Sequence, residues 1–415
     1  MLPNRKLISY PYVLVMLVVV LSVAGLLSNL GLANSHSAGL LVSFFPILLL
    51  SFIGGHWSPL RKSELHIVLC FLLAVLVHFF TVALIAGPVD YVINGSSSRF
   101  FSSFILLCLL LWCAFQIECY LALLTQRNFI RLINTVYRCL VILAAFSLPF
   151  HWLDLVSRKQ MLIFSEPSHF ALVFGPFYLY KIFTSSYRHT HFLICLSLAL
   201  MLENVTLIVF ALFGFLLSLK RYGFMFLLVA LLVFSIGFAV TNYFEEYTNF
   251  LTSRLYFGEQ MQTENLSLLA LLSGYERAYL TVTDWSYIGV GFQQMGIVGP
   301  LGEIQSNIQL LTKDGGTMNT LDGGTLFSKI TVEFGIFGVL GALVYLQKYW
   351  MILKRLTKLD ENSPLELFYT LCFLGFFIIL FMRSVNYFSP SFFIFIVALI
   401  GLRRVRRNLN LRRQT

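Results

Sequence analysis

Residues 11–30 read PYVLVMLVVVLSVAGLLSNL, a run of about 20 amino acids without a charged side chain. A helix needs about 20 predominantly apolar residues to cross the hydrocarbon core of a bilayer. The run follows Arg5 and Lys6. It is longer than the apolar core of about 7–15 residues in a cleavable signal peptide. We therefore interpret it as an uncleaved first membrane span.

Similar runs recur along nearly all 415 residues. Hydrophobic residues make up 58% of the chain and charged residues 12%, with a mean hydropathy of +0.82, whereas a soluble domain carries about 25% charged residues. The sequence predicts an all-α, polytopic transmembrane protein that forms a single integral membrane domain over residues 1–415. We predict twelve spans, at about 11–30, 38–56, 65–87, 100–124, 132–150, 166–184, 190–203, 205–219, 222–243, 323–347, 365–383 and 387–402.

The distribution of Lys and Arg predicts the orientation of these spans, because cytoplasmic loops are enriched in both residues. The apolar stretch 190–219 forms either one long tilted helix or two short helices around Glu203 and Asn204. Two helices place most basic residues on one side, so we predict an outer turn at Glu203-Asn204 and two cytoplasmic termini. The net charge of +10 then does not indicate nucleic acid. The arginine-rich tail at 403–413 is expected to anchor the chain to anionic lipid at the cytoplasmic face.

Residues 244–322 break the pattern of short loops and fall outside in this topology. Aromatic residues are frequent in the stretch, so disorder is not expected. We predict a large periplasmic loop of surface helices and Gly-rich turns that caps a site. It contains none of the seven cysteines, and we expect no disulfide, metal site, thiol chemistry or cofactor.

The sequence Ser165-Glu166-Pro167-Ser168-His169 opens a predicted span. A helix N-terminus stabilises an anion and disfavours a cation. Glu166 is therefore expected to stay ionised, and His169 to stay neutral and able to accept a proton. A simpler interpretation is that both side chains only satisfy the end of the helix.

Further candidates are charged or aromatic residues in outer loops or inside spans. An outward arginine opposes the usual charge bias, and guanidinium matches phosphate geometry, although such a residue also occurs as a solvated loop charge. Ionisable residues inside spans are functional by default, but Lys329 and Glu333 lie four apart and can simply pair. Arg383 can instead snorkel to the interface. Besides Glu166 and His169, the candidate site residues are Arg158, Arg254, Tyr275, Arg277, Asp322, Lys329, Arg383 and Tyr387.

These segments together resemble the Wzy-type O-antigen polymerases, which share a superfamily with the O-antigen ligases. The resemblance covers nearly the whole chain in hydropathy and loop order, and the order of the segments carries more weight than any one of them. The quoted segments are Phe164-Ser165-Glu166-Pro167-Ser168-His169-Phe170-Ala171-Leu172, Thr252-Ser253-Arg254-Leu255, Tyr275-Glu276-Arg277, Leu321-Asp322-Gly323-Gly324 followed by Glu333-Phe334-Gly335-Ile336-Phe337-Gly338, and Arg383-Ser384-Val385-Asn386-Tyr387-Phe388-Ser389-Pro390.

The resemblance implies a metal-independent glycosyltransferase of the GT-C type in a bacterial inner membrane. Its expected partners are an undecaprenyl-pyrophosphate-linked oligosaccharide, membrane lipid and a chain-length regulator protein. Arg277 and Arg254, with Arg383 as a further candidate, would stabilise the pyrophosphate leaving group, and Glu166 or His169 would accept the acceptor's proton.

Two other functions stay open. Ligases carry a His-Asn pair where this chain has Asp322-Gly323-Gly324-Thr325, which favours a polymerase over a ligase. Another GT-C transferase stays open as part of that alternative. A flippase for lipid-linked oligosaccharides is the alternative from another class, but transporters usually show internal repeats and none is visible here.

Overall fold

The computed structural model describes residues 10–32, 36–54, 62–85, 97–152, 161–219, 266–311, 320–356, 363–383 and 386–414. Within these ranges the chain forms helices and turns and contains no β-strand, so the predicted all-α class is confirmed for this part of the protein. In chain order the helices are α1 (Tyr10–Asn29), α2 (His36–Gly54), α3 (Lys62–Ile85), α4 (Ser97–Leu123), α5 (Gln126–Trp152), α6 (Pro167–Thr184), α7 (Arg188–Met201), α8 (Val205–Ser218), α9 (Leu266–Leu280), α10 (Glu303–Leu311), α11 (Leu326–Phe334), α12 (Ile336–Leu356), α13 (Pro364–Phe381) and α14 (Pro390–Gln414).

Six of the described helices, α1, α3, α4, α5, α12 and α13, are long and apolar enough to cross a membrane, and α2 and α8 contain shorter apolar segments. The protein is therefore membrane-embedded, as predicted. The predicted span at 222–243 and residues 244–265 of the predicted loop lie outside the described residues, so the total of twelve spans stays a prediction.

The segment 190–219 forms two helices, which confirms the prediction of two helices over one; the side of the membrane on which their turn lies stays a prediction. α7 ends at Met201 and α8 begins at Val205. Glu203 adopts a positive φ of 50° in the turn. The Asn204 side chain caps α8 by accepting a hydrogen bond from the Leu207 N–H at 2.9 Å. An Asn at this position satisfies one of the free N–H groups at the start of a helix.

The predicted span at 323–347 is wrong as a single helix. The chain breaks at Gly335, which has a φ of +57°, a conformation that glycine adopts without a steric penalty. α11 is a half-helix of nine residues buried over much of its surface, and α12 restarts directly after the break.

A Gly-rich turn over residues 286–302 explains this break. Its backbone N–H groups at Val290 and Gly291 each donate at 2.9 Å to the carbonyls of Val332 and Glu333, the last turn of α11. The Ile336 N–H donates at 2.8 Å to the Tyr287 carbonyl. The turn therefore replaces helical hydrogen bonds across Gly335, and a helix can be interrupted where other backbone groups satisfy the freed N–H and C=O groups in this way.

Polar contacts between distant helices mark two opposite ends of the bundle. At one end Arg404 of α14 donates to both carboxylate oxygens of Glu64 at 2.8 Å and to the carboxylate of Glu118. At the other end His78 of α3 contacts the Ile288 carbonyl at 2.7 Å. α3 begins at Lys62. Its basic start and the turn that carries His78 therefore lie towards opposite ends of the bundle. The tail was expected to anchor the chain to lipid, but Arg404 is paired inside the protein.

Helix α13 lies buried between α6, α12 and α14. Glycines permit this close approach: Gly375 of α13 lies against the Leu179 side chain, and Gly175 of α6 lies against the ring of Phe210 in α8. Small residues at helix contacts are typical of membrane bundles. This packing brings the C-terminal end of α13 beside the N-terminal end of α6, where the candidate site residues gather.

Candidate functional site

The start of α6 holds a compact group of polar side chains. Glu166 is the residue before the helix, with extended backbone, and Pro167 occupies the first turn. The Ser168 hydroxyl donates to Glu166 Oε2 at 2.8 Å. Ser165 Oγ contacts His169 Nδ1 at 2.6 Å, and His169 Nε2 lies 4.0 Å from Glu166 Oε2. The helix start that the sequence predicts is present, and the carboxyl and imidazole groups lie side by side.

Arg383 joins this group from the end of α13. Its Nη2 donates to Glu166 Oε2 at 2.8 Å across 217 positions of sequence. The Glu166 side chain is 40% exposed and that of Arg383 is 21% exposed, so the pair stands at the protein surface and is open to a ligand. Arg383 Nε is buried and has no hydrogen-bond partner in the described part of the chain.

Electrostatics keeps Glu166 ionised. Burial by itself would raise the pKa of Glu166, but the positive charge of Arg383, the neighbouring His169 and the Ser168 hydrogen bond together lower it to about 2. A carboxylate with so low a pKa is a weak proton acceptor at neutral pH. Of the two candidate bases, the arrangement therefore favours the imidazole of His169 as the group that takes up a proton.

Tyr275 supports the position of Arg383. The Tyr275 hydroxyl donates to the Phe381 carbonyl at 2.6 Å, at the last residue of α13. The rings of Tyr275 and Phe381 each pack against Phe327, at centroid distances of 6.0 and 5.4 Å. The phenol is thus engaged with protein, and its contacts fix the end of the helix that presents Arg383.

Lys329, Glu333 and Tyr387 form a second, buried cluster. Lys329 Nζ lies 3.1 Å from Glu333 Oε1, and the two side chains are 1% and 0% exposed. Lys329 also donates to the Leu321 carbonyl, and its ammonium lies 5.5 Å from the ring centroid of Tyr387. The Glu333 carboxylate is buried between the Lys329 ammonium and the Tyr387 side chain. The simpler expectation was that Lys329 and Glu333, four positions apart, pair with each other, and the geometry agrees with it.

Arg383 and residues 386–391 contribute to both clusters and to a small cavity. Arg383 pairs with Glu166, while Tyr387 lies beside Lys329. Ser389 and Ser391 then line a cavity of about 20 Å³ together with Ser165 and His169. A volume of this size accommodates about one water molecule.

Arg277 lies in neither cluster. It is 1% exposed, and its guanidinium donates to the carbonyls of Pro300 and Thr320, at 3.3 and 2.7 Å. Burial lowers its pKa to about 10, so the group still carries its charge at neutral pH. These two carbonyls bracket α10, and Arg277 thereby holds the two ends of this loop segment together. It is not the solvated loop charge that was one interpretation of the sequence.

The remaining candidates are dispersed. Asp322 is partly exposed in the turn before α11, and Arg158 and Arg254 lie outside the described residues. Sequence reasoning missed His78 and Gln293, which flank the Gly-rich turn: His78 contacts Ile288, and Gln293 accepts from Arg99 at 3.5 Å. A histidine inside an apolar run was a detectable signal, since ionisable residues in spans usually have a specific partner.

The chain matches no family model, no curated protein and no solved structure. The geometry and the sequence resemblance are therefore the basis for a functional assignment.

Proposed function

We propose that the protein is a bacterial polysaccharide polymerase. In this proposal it transfers an undecaprenyl-pyrophosphate-linked glycan onto a lipid-linked repeat unit at the periplasmic face of the inner membrane. The observation that carries the proposal is the exposed Glu166–Arg383 pair, with His169 beside it. Two distant parts of the chain that supply the sequence resemblance meet there in direct contact.

The location of the pair supports this assignment. Glu166 opens α6, and the same helix carries Lys181 near its other end. Arg383 precedes α14, whose opposite end carries the Arg404 ion cluster. Because Lys and Arg accumulate on the cytoplasmic side, the charge pattern favours a periplasmic position for Glu166 and Arg383. A lipid-linked pyrophosphate would meet them at the level of the headgroups.

The proposed reaction uses the groups of the site as follows. A hydroxyl oxygen of the acceptor sugar forms a bond to the anomeric carbon of the donor while the bond from that carbon to the pyrophosphate oxygen breaks. The hydroxyl proton passes to His169, and undecaprenyl pyrophosphate leaves with its electron pair. Arg383 donates hydrogen bonds to the charge that develops on the pyrophosphate, and Glu166 orients Arg383 and the acceptor.

A flippase for the same lipid-linked oligosaccharide is the second candidate, and one observation favours it. The half-helix α11 ends at Gly335 and carries the buried Lys329–Glu333 pair. Interrupted helices that carry polar binding groups are typical of transporters. The partial exposure of the Glu166 and Arg383 side chains, which leaves the pair accessible to a ligand, is the reason to prefer the transferase.

Deletion of the gene in its native bacterium separates these functions. Loss of a polymerase leaves single repeat units at the cell surface. Loss of a flippase retains lipid-linked repeats on the cytoplasmic side, and loss of a ligase leaves long polymer attached to the lipid carrier. Surface labelling of glycans and electrophoresis of lipid-linked products distinguish the three outcomes. Either of the last two results would refute the polymerase proposal.

Variants of the pair test the site itself. In the deletion strain Arg383→Ala is expected to reduce polymer formation about 100–1000-fold, the usual effect of losing a donor to a developing charge. Arg383→Lys should restore part of it. Arg407→Ala is the matched control, because Arg407 contacts Ser63 at the opposite end of the bundle. Long polymer from Arg383→Ala at normal membrane abundance would remove Arg383 from the site.

A further inference from the structure

Three exposed aromatic residues follow one another at the end of α9 and in the turn after it. Tyr279, Trp285 and Tyr287 are 67%, 47% and 70% exposed. Residues Thr281–Trp285, directly after α9, form a short π-helix. Tyrosine and tryptophan each combine a large apolar ring with a polar group, and both are enriched where hydrocarbon meets headgroups in a membrane. We call residues 279–287 the aromatic turn.

The aromatic turn is bonded to the start of a candidate span. The Tyr287 carbonyl accepts the Ile336 N–H at 2.8 Å, at the first residue of α12. α12 has basic residues, Lys354 and Arg355, in its last turn. A helix of 21 residues is about 32 Å long, close to the hydrocarbon thickness of about 30 Å. The turn therefore lies a full membrane thickness away from the basic end.

Exposed apolar residues continue from these spans to the aromatic turn. Ile336 and Phe337 at the start of α12, and Leu84 and Ile85 at the end of α3, are exposed. α3 is joined to the residue after the turn, since His78 contacts the Ile288 carbonyl. Exposed apolar side chains of both candidate spans thus lie near Tyr287. Exposed apolar residues that gather in this way commonly mark a membrane or protein contact.

We propose that the aromatic turn lies in the phospholipid headgroup interface, with its rings among the headgroups and upper acyl chains. The partner is the lipid surface itself. This part of the predicted periplasmic loop then lies on the membrane and does not project into water. The exposed Asp284 and Thr283 supply the polar side that such a segment turns towards water. The inference depends on the membrane-spanning character of α3 and α12 and is independent of glycosyl transfer.

Quenching of tryptophan fluorescence in vesicles tests this placement. The purified full-length protein and its Trp285→Phe variant are reconstituted into phosphatidylcholine brominated either near the headgroup or deep in the acyl chains. The difference between the two emission spectra isolates Trp285. Its emission should be quenched at least twofold more strongly by shallow bromine than by deep bromine. Trp112→Phe provides a deep reference from the middle of α4, where the order should reverse.

The opposite end of α12 offers a matched interfacial control. Trp350 is exposed, and the ammonium of Lys354 lies 4.9 Å from its ring centroid, so the component removed by Trp350→Phe should also respond to shallow bromine. If Trp285 is quenched by aqueous iodide and not by either brominated lipid, the proposal is refuted. Protection of Trp285 from iodide by a soluble oligosaccharide, without lipid quenching, would also refute it and indicate a sugar-binding surface instead.

A second probe guards against a local effect of the first substitution. In a Trp285→Phe background, Tyr287→Trp moves the indole two residues along the turn to a more exposed position. The proposal requires the same preference for shallow bromine from this probe. A new emission that is insensitive to both lipids would count against the interface placement, provided that the variant elutes as the parent protein in size-exclusion chromatography.

Discussion

Breaking the Lys329–Glu333 pair should strongly destabilise the protein, and the two single variants should differ. With side-chain exposures of 1% and 0%, solvent does little to screen either charge. Coulomb attraction at about 3.1 Å amounts to roughly 5 kcal/mol at an effective dielectric constant of about 20, before the cost of removing both groups from water. Removing one partner of such a pair typically costs about 3–5 kcal/mol, because the other charge is left buried without compensation.

The contacts of each partner predict which variant is worse. Lys329 in a Glu333→Gln variant keeps its hydrogen bond to the Leu321 carbonyl and its place beside the ring of Tyr387. Glu333 in a Lys329→Met variant loses its only cationic partner in the described part of the chain and keeps the neighbouring Tyr387 side chain. Lys329→Met should therefore lie at the upper end of the range and Glu333→Gln at the lower end. The double variant Lys329→Met/Glu333→Gln should recover most of the loss, since no buried charge remains.

Thermal unfolding in detergent, followed by fluorescence-detected size-exclusion chromatography, measures this series. The double-variant cycle gives the coupling between the two side chains. A thermal midpoint within error of the parent for both single variants would refute the assignment of a buried ion pair. A double variant as unstable as the sum of the two singles would show that Lys329 and Glu333 do not interact.

Three further outcomes follow from the site and the break in the helix. Arg277→Ala should lower stability by about 3 kcal/mol, because hydrogen bonds from a charged group contribute about 1.5–3 kcal/mol each; if the thermal midpoint is unchanged while polymer is lost, Arg277 acts on substrate as first expected. Gly335→Ala should lower the thermal midpoint, since a Cβ at φ +57° is strained and would meet the Tyr287 carbonyl. Gly341→Ala, where a Cβ meets nothing within 4 Å, is its control. The pKa of Glu166 is depressed to about 2, so its contribution is complete above about pH 4.5 and lost towards pH 2. In Glu166→Gln the acid-induced fall of the midpoint over that window should be smaller, by a modest amount because Glu166 is 40% exposed.

Hydropathy and charge counting predicted much of the fold, because span length and loop charge are local properties of the chain. The hairpin at Glu203-Asn204 shows this: charge alternation required a turn, and Asn204 caps the helix that follows. The break at Gly335 was not predictable in the same way. A single glycine in an apolar run is common in membrane helices, and the groups that replace the helical hydrogen bonds at Val332 and Glu333 come from a turn more than 40 residues earlier.

The ion-pair partners of the charged residues were also not predicted, because these partners are distant in sequence. The positive-inside rule counts Arg404 as one more cytoplasmic charge and contains no information about Glu64 and Glu118, which bind it. The order of the segments placed Glu166 and Arg383 on one face, but only helix packing could show that they touch. Burial of a charge depends on such packing and is not visible in its local sequence.

Helix packing gives two of the arginines that were predicted to face outward, Arg277 and Arg383, different surroundings. Arg277 donates hydrogen bonds to the carbonyls of Pro300 and Thr320 and is almost fully buried. Arg383 is partly exposed, and its partner is the ionised Glu166. A pyrophosphate can compete with one exposed carboxylate for a guanidinium, whereas reaching Arg277 would require the loop segment around α10 to open. Partial exposure and a carboxylate partner therefore make Arg383 a better candidate than Arg277 to contact the proposed substrate, whereas Arg277 holds the loop segment around α10 together.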